Sequence, residues 1–390
     1  MSTDQRELNL DILIQGAGIG GLTLAIALLQ LGYSVKIVER SNALSEIGAG
    51  IWMAANPMQV FDQLGFANKI SSAGWMIKCL RLQDYRGFDI QVTDMSEIAK
   101  IFGFETVALH RSALQKTLFD ELPPNTVFFG TEVEVLSQGK ESITVQLTDG
   151  SRIKASVVVG ADGINSRMRS HISLGGEKRY SGASSYRAIA RGAQLLPLDF
   201  DHDAYEIWAE GCRAGFSKIN SDDYYWYMTF DSAAGKSISP DQMRSHAESL
   251  FKSFFPRWIG LLEHTGPNEI LKTDISDLKP LKKWASGRVG LIGDAAHATT
   301  PNLGQGGAMA VEDALVLARS FDEVGLNEAA FERFEQHRRE KVNWIVSTSW
   351  TIGKICHLRN PVARSMRNAF LMHTPKSVSK KQIMKIYSIG

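Results

Sequence analysis

The stretch Leu10–Leu31, LDILIQGAGIGGLTLAIALLQL, decides the fold. Its first six residues, Leu10–Gln15, read as a largely apolar strand of the kind buried inside a parallel sheet. Gly16, Gly18 and Gly21 follow at once in GxGxxG spacing, with Ile19 and Gly20 between the last two, and Gly20–Leu31 carries a helical pattern. The need for glycine is steric. One makes the tight turn, one lets backbone N–H groups reach a pyrophosphate, and one lets the helix pack closely on the strand. A phosphate placed there meets a helix N-terminus, where free N–H groups and the macrodipole favour an anion. Tyr33–Glu39 then alternates as a second strand. It ends on Glu39, 23 residues beyond Gly16, where a carboxylate can accept hydrogen bonds from an adenosine ribose. The segment is read as a dinucleotide site, and the fingerprint alone does not choose between FAD and NAD.

Two more βα units lie further along. Val157–Gly160 reads as a buried strand running into Ala161-Asp162-Gly163, and Arg288–Gly293 as another followed by Asp294 and a helical pattern over Gly307–Phe321. Between them, Met76–Gln91 and Ser184–Phe230 alternate aromatic and β-branched residues with polar ones, as strands of an antiparallel sheet do. From Ala329 the pattern is helical, interrupted at Pro361 and Pro375. At 390 residues the chain exceeds what one core supports. A net charge of +1 without a dense cationic run argues against nucleic acid. Cys79, Cys212 and Cys356 are scattered, without metal or redox spacing, and fit a reducing cytoplasm. Asp4, Glu7 and Asp11 spoil any signal-peptide start. Trp344–Ile355 is too short to span a bilayer, so no integral membrane segment is expected. The mildly basic Lys376–Lys385 reads as a solvated helix end.

The run Val159-Gly160-Ala161-Asp162-Gly163-Ile164-Asn165-Ser166-Arg167-Met168-Arg169 resembles the DG motif of the para-hydroxybenzoate hydroxylase-like (group A) flavoprotein monooxygenases. Arg288–Asp313, with Gly293-Asp294-Ala295-Ala296-His297 and Pro301-Asn302-Leu303-Gly304-Gln305-Gly306-Gly307, resembles their GD motif. Size and the latter loop look similar to the salicylate hydroxylase, urate hydroxylase and zeaxanthin epoxidase-like members. The resemblance implies an α/β fold: a Rossmann-like FAD-binding domain of that family's type, an inserted antiparallel-sheet substrate domain, and C-terminal helices. The corresponding boundaries are 1–75, 100–180 and 276–340 for the FAD domain, 76–99 and 181–275 for the sheet domain, and 341–390 for the helical region. It also implies that Asp294 faces the ribityl chain, and that Gly304, Gly306 and Gly307 bring backbone to the flavin edge beside a stiffening Pro301. Asp162 and Gly163 are expected near FAD and the transient nicotinamide, Arg111 and Gln115 at the cofactor, and Arg40 near the adenosine. Ile47–Asn56 resembles the strand and loop beside the isoalloxazine. His297 is expected to pack or hydrogen-bond locally rather than act as a base.

On the substrate side, strand alternation puts Tyr225 and Tyr227 on one face and Tyr224 and Trp226 on the other. Phe216, Tyr225 and Tyr227 are the candidate pocket lining, with Arg187 as anchor for a carboxylate or phenolate and Trp208 as packing. The reaction the resemblance implies uses FAD, with NADPH or NADH as co-substrate and O2. It hydroxylates a small aromatic or polycyclic substrate through a flavin C4a-hydroperoxide. No second GxGxxG follows a strand, so no dedicated nicotinamide domain is expected. Epoxidation, inactivation of a polycyclic antibiotic, isoprenoid reduction on the same fold and a non-catalytic FAD scaffold stay open. A cytoplasmic monomer or homodimer without bound metal is expected.

Overall fold

Burial on both sides explains why the alternation of Leu8–Gln15 is broken at Leu13: Ile12, Leu13 and Ile14 are all fully enclosed. The computed structural model describes residues 8–44, 49–192 and 202–389. In it this strand runs parallel to Arg152–Gly160 on one side, with Ile12 opposite Val157, and to Val35–Glu39 on the other. Val289–Leu291 continues the parallel array beyond Arg152–Gly160. Three segments far apart in sequence thus end at one edge, and their following loops, 16–18, 161–163 and 292–294, gather there. That edge is where ligands bind in open parallel sheets. The Ile19–Gln30 helix is apolar nearly all round because it lies between this sheet and the helix Gly306–Val324. A side chain at Gly20 would bring its Cβ to 3.0 Å from the Ala310 Cβ, so glycine sets the distance between the two helices.

The second sheet has seven strands, ordered Leu271–Leu278, Lys178–Ala190, Tyr224–Asp231, Cys212–Lys218, Asp203–Trp208, Cys79–Asp84 and Asp89–Asp94. All neighbours are antiparallel except Asp203–Trp208 and Cys79–Asp84, which pair parallel. That exception to the antiparallel expectation arises because two separate chain excursions meet there, with no hairpin to set direction. One face is covered by the helices Pro240–Phe254 and Ile259–Glu263, which bury Tyr186, Phe216, Trp226, Phe251 and Trp258 together. The other face turns towards a small sheet of Gly50–Met53, Thr106–His110 and Trp75–Ile77. Trp75–Ile77 therefore belongs to that small sheet, and the large one begins at Cys79.

The 29-residue helix Glu328–Cys356 packs on Gly306–Val324. Two shorter helices follow, Pro361–Met372 and Lys376–Tyr387. Both prolines mark helix starts: Pro361 is the first helical residue behind an Asn360 cap, and Pro375 is itself the cap residue. Among the described residues no helix is long and apolar enough to cross a membrane.

Candidate active site

The fingerprint loop is held by contacts that only glycine permits. Gly16 has φ 110°, and a Cβ there would lie 2.5 Å from the Ala161 carbonyl oxygen. A Cβ on Gly21 would lie 2.0 Å from the Gly16 oxygen. Gly18 is different. It caps the helix beginning at Ile19 without any side-chain hydrogen bond, and a Cβ there would touch no protein atom within 4 Å. The space a side chain would fill at this helix end is thus open, as the close approach of a pyrophosphate requires. The Glu39 carboxylate accepts from the Ala17 N–H at 2.9 Å and the Ser41 N–H at 2.9 Å, which fixes it beside the loop. Gln115 donates to the Ala17 carbonyl at 2.7 Å from the helix that begins at Arg111. Arg40 lies exposed just beyond Glu39.

Asp162 behaves as a brace. Its carboxylate accepts from Gln15 Nε2, Ser166 Oγ and the Arg167 and Met168 amides, at 2.6–3.1 Å. It shapes the loop carrying Gly163, whose φ is 80°, and has little capacity left for a ligand. Asp294 is the opposite case. It is accessible to solvent although protein surrounds it, as a cleft-lining group is, and it starts a short helix. Burial pushes its carboxyl above the ordinary range, with the charges of His297 and Arg111 opposing. Arg111 therefore faces the same cleft. Gly306 begins the 19-residue helix that follows, and no side chain caps its N-terminus. A Cβ on Gly306 would lie 3.9 Å from Asp294 Oδ1, and one on Gly307 3.2 Å from Ile51. Pro301 and Gly304 are exposed on the turn before it.

Two helix N-termini without side-chain caps, a forked cation and two carboxylates thus border one cleft, and this set fits FAD. The negative pyrophosphate suits the Ile19 end, and the Gly306 end suits the electron-rich flavin edge. Of the Ile47–Asn56 segment, Ile47 and Gly48 fall outside the described residues.

Beneath the cleft sits a charged cluster that joins His297, Glu312 and Asp313 of the Arg288–Asp313 motif to Arg338 and Lys341 from outside it. Arg338 donates from Nε to Asp313 Oδ1 at 2.8 Å and pairs with Glu312. Lys341 donates to both Glu312 oxygens at 2.8 Å. Asp313 accepts from the Gly293 N–H at 2.9 Å and sits 2.6 Å from His297 Nε2. Burial alone would raise the Asp313 carboxyl, but His297 and Arg338 hold it down at about 2. His297 is 4% exposed and serves this cluster as a local partner.

On the sheet face towards the cleft stand Tyr225, Tyr227 and Arg187, since Arg187 lies opposite Tyr227 in register. Phe216 is a correction. It pairs with Trp226, not with a tyrosine of the cleft side, stacks on Tyr205 with ring centroids 4.9 Å apart, and meets the Trp258 ring at a tilt, 4.4 Å between centroids, in the helix-covered layer. Its neighbours Gly215 and Ser217 occupy the cleft face instead. Ser217 Oγ accepts from Trp52 Nε1 at 2.9 Å, and a Cβ on Gly50 would overlap the Tyr225 ring at 2.3 Å. Glycine there lets the Gly50–Met53 strand lie directly on Tyr225.

A second network runs through this face. Glu206 accepts from Tyr227 Oη at 2.6 Å, Trp208 Nε1 at 2.6 Å and Arg213 at 2.7 Å. Arg213, 1% exposed, also donates to Asn302 Oδ1 at 2.6 Å, which links the sheet to the Pro301–Leu303 turn. Burial raises the Glu206 carboxyl, but the Arg213 charge and the donated bonds outweigh it and leave it below the ordinary range. Burial, then the Glu206 charge, hold the Tyr227 phenol well above its ordinary 10. Trp208 is thus a donor as well as packing. The signal for Glu206 and Arg213 was a charge flanked on both sides by apolar residues within a strand. Arg187 stays half-buried, with a 3.3 Å bond to Ser185 Oγ and no carboxylate partner among the described residues.

Comparison with known proteins agrees with this geometry. The FAD binding domain family matches residues 9–348. Aurachin C monooxygenase/isomerase of Stigmatella aurantiaca is 35% identical, over 93% of this chain and 94% of that protein. The 2-heptyl-3-hydroxy-4(1H)-quinolone synthase of Pseudomonas aeruginosa is 29% identical, over 97% of each chain. The crystal structure of Klebsiella pneumoniae HpxO with FAD and uric acid superimposes with a TM-score of 0.87 at 26% identity, over 98% of this chain and 97% of that one. The chain belongs to the FAD-binding-domain family of group A flavin monooxygenases and is an FAD-dependent aromatic monooxygenase with NAD(P)H as co-substrate.

Proposed function

We propose that the substrate is a bicyclic heteroaromatic of the quinolone class, held by its ring oxygen on Arg187. The observation that carries this is the half-buried Arg187 guanidinium, unpaired with any carboxylate among the described residues, on a face walled by Tyr225 and Tyr227. A forked cation in such a place favours an oxyanion, and flat aromatic walls favour a flat ring. A relative matched over 97% of this chain carries quinolone in its name, which supports that ring system over a monocyclic acid. The proposed balance is one O2 and one NAD(P)H consumed for one carbon–oxygen bond formed and one water released. FAD, when bound, takes the electrons from NAD(P)H and activates O2.

The chain's own residues position and exclude. Gly16, Gly18, Ile19, Gly20, Gly21 and Glu39 take the adenosine diphosphate side, with Arg40, Arg111, Gln115 and the Asp162–Gly163 loop around it. Asp294, Gly304, Gly306 and Gly307 take the ribityl chain and flavin edge. The Pro301–Leu303 turn is fixed by Arg213 through Asn302, which keeps the wall beside the ring rigid and dry. Tyr227 is committed to Glu206 as a donor and stays protonated, so it is no base for the substrate. Tyr225 makes no side-chain hydrogen bond among the described residues, and its hydroxyl is the one offered to the ring.

Arg187→Gln is expected to raise KM for an alkylquinolone by about 10–100-fold, the value of a charge-assisted bond, with a smaller change in kcat. Steady-state NAD(P)H oxidation with an alkylquinolone, urate and 6-hydroxynicotinate checks both ring class and anchor. Preference for either of the other two compounds, or an unchanged KM in the variant, sinks the reading. In the same assay Tyr227→Phe should leave the pH profile in place and cost about 1 kcal/mol of stability. Tyr225→Phe should raise KM about fivefold. A Tyr227→Phe enzyme that lost a limb of its pH profile would make Tyr227 the proton acceptor after all.

A further inference from the structure

The helix Pro361–Met372 is built inside out. Its outward stripe, at helical spacing, is Val362, Ser365, Met366, Ala369 and Phe370, with Val362, Met366 and Phe370 exposed to 66%, 69% and 74%. Its inward side carries arginines. Arg364 pairs with Glu210, and Arg367 is buried, donates to the Ile355 and Cys356 carbonyls, and stacks 4.7 Å from the Trp208 ring. A helix that buries its cations and presents its large apolar side chains is the reverse of an ordinary surface helix. The stripe does not end with the helix. Met372 is 56% exposed. The helix also packs on the strand Asp89–Asp94, whose preceding turn exposes Phe88 and Tyr85, with Tyr85 5.8 Å from the Arg364 guanidinium.

Charge is distributed just as unevenly. Residues 341–390 hold nine of the chain's 43 Lys and Arg and none of its 42 Asp and Glu. The carboxylates around the helix are already engaged: Glu210 by Arg364, Asp231 by Arg359 and His357, Asp84 by Arg86, Asp89 by Arg81 and Gln83, and Asp94 by the amides of the helix it caps. Only three residues separate the apolar helix from Lys376–Tyr387, on which Lys380 and Lys381 are exposed, while Lys385 lies over Trp344 and 3.9 Å from Glu340.

We infer that this face docks the enzyme on an anionic lipid bilayer. An apolar stripe on a helix without acidic residues, in a segment that continues into lysines, is what an interfacial helix needs: the stripe enters the headgroup boundary and the cations of the following helix meet the lipid phosphates. A second copy of the chain suits it less, because a two-fold contact through this face would bring two acid-free cationic segments together. The seat is peripheral, since no described helix spans a membrane. Through Arg367 and Trp208 the helix also adjoins Glu206 and the substrate face, so the docked enzyme would hold that face close to the lipid.

The test uses the FAD-loaded full chain and sedimentation with unilamellar vesicles, either phosphatidylcholine alone or phosphatidylcholine mixed with phosphatidylglycerol. The wild type should sediment with the mixed vesicles, release as salt is raised, and bind pure phosphatidylcholine poorly. The double variant Met366→Glu/Phe370→Glu should lose about tenfold or more of that partition while keeping its flavin spectrum and melting temperature. Lys380→Glu/Lys381→Glu should weaken only the anionic component. Wild-type protein that stays in the supernatant with phosphatidylglycerol vesicles overturns the inference, as does a double variant that binds equally well. A dimer seen by light scattering that Met366→Glu/Phe370→Glu dissociates, with no vesicle binding, would assign the face to a second copy and overturn it too.

Discussion

Arg338→Leu is expected to destabilise the protein by about 3–5 kcal/mol, the usual cost of removing one partner from a buried ion pair. Arg338 is 1% exposed and lies between Glu312 and Asp313, which are 1% and 0% exposed. Leucine would fill the volume but leave two enclosed carboxylates with only Lys341 and His297 to answer them. The effect should reach the cofactor, because Asp313 holds the Gly293 amide and Glu312 accepts from Asn56, which also binds Gln305 at the start of the Gly306 helix. The pH dependence has a definite sign. Asp313 is held near 2 in the folded chain against an ordinary 3.8. Its contribution is therefore complete above about pH 4 and is lost as pH falls from there towards 2. Without Arg338 the folded carboxyl titrates closer to its unfolded value, so this acid-side loss shrinks and the variant's deficit against the wild type is greatest at neutral pH. Urea unfolding at neutral and acid pH measures both effects. A loss below about 1 kcal/mol at neutral pH would mean the cluster is not the support described.

Gly21→Val should abolish FAD binding and disturb the fold together, because even its Cβ would sit 2.0 Å from the Gly16 carbonyl oxygen. Nothing flexible can move aside there: the obstacle is backbone, and the Ile19–Gln30 helix would have to leave the strand it packs on. Gly18→Ala separates the two consequences. Gly18 has φ −74°, which alanine adopts freely, and an added methyl meets no protein atom. That variant should fold with an unchanged melting temperature in the absence of FAD. It should nevertheless lose about tenfold or more in FAD affinity, since the methyl projects where a pyrophosphate approaches. Flavin absorbance after titration, with far-UV circular dichroism as control, measures each. Normal FAD affinity in Gly18→Ala would place the phosphates elsewhere.

The parallel core was legible because its signals are local. A buried strand with an unbroken apolar Ile12-Leu13-Ile14, glycines at fixed spacing and a carboxylate at the next strand end all act within 30 residues. The faces of Tyr224–Phe230 were legible for the same reason, since alternation along one strand is set by the pleat. Phe216 was misplaced because its face depends on cross-strand register, which the turn at residues 219–223 sets, and a shift of one residue exchanges the two sides. Glu206, Arg213 and Asn302 come from three different segments, and only the order of the strands brings them together. The outward stripe of Pro361–Met372 was hidden behind its normal helical period. Period says that one face differs from the other, not which one meets the protein.

The most direct test of the account is a turnover of the FAD-loaded enzyme with NAD(P)H and an alkylquinolone under isotopically heavy O2. The expected result is one heavy oxygen atom in each product molecule, with one NAD(P)H consumed per product. Hydrogen peroxide matching all the NAD(P)H consumed, with the quinolone returned unchanged, would contradict the proposed substrate. A protein that cannot be loaded with FAD would contradict the site itself.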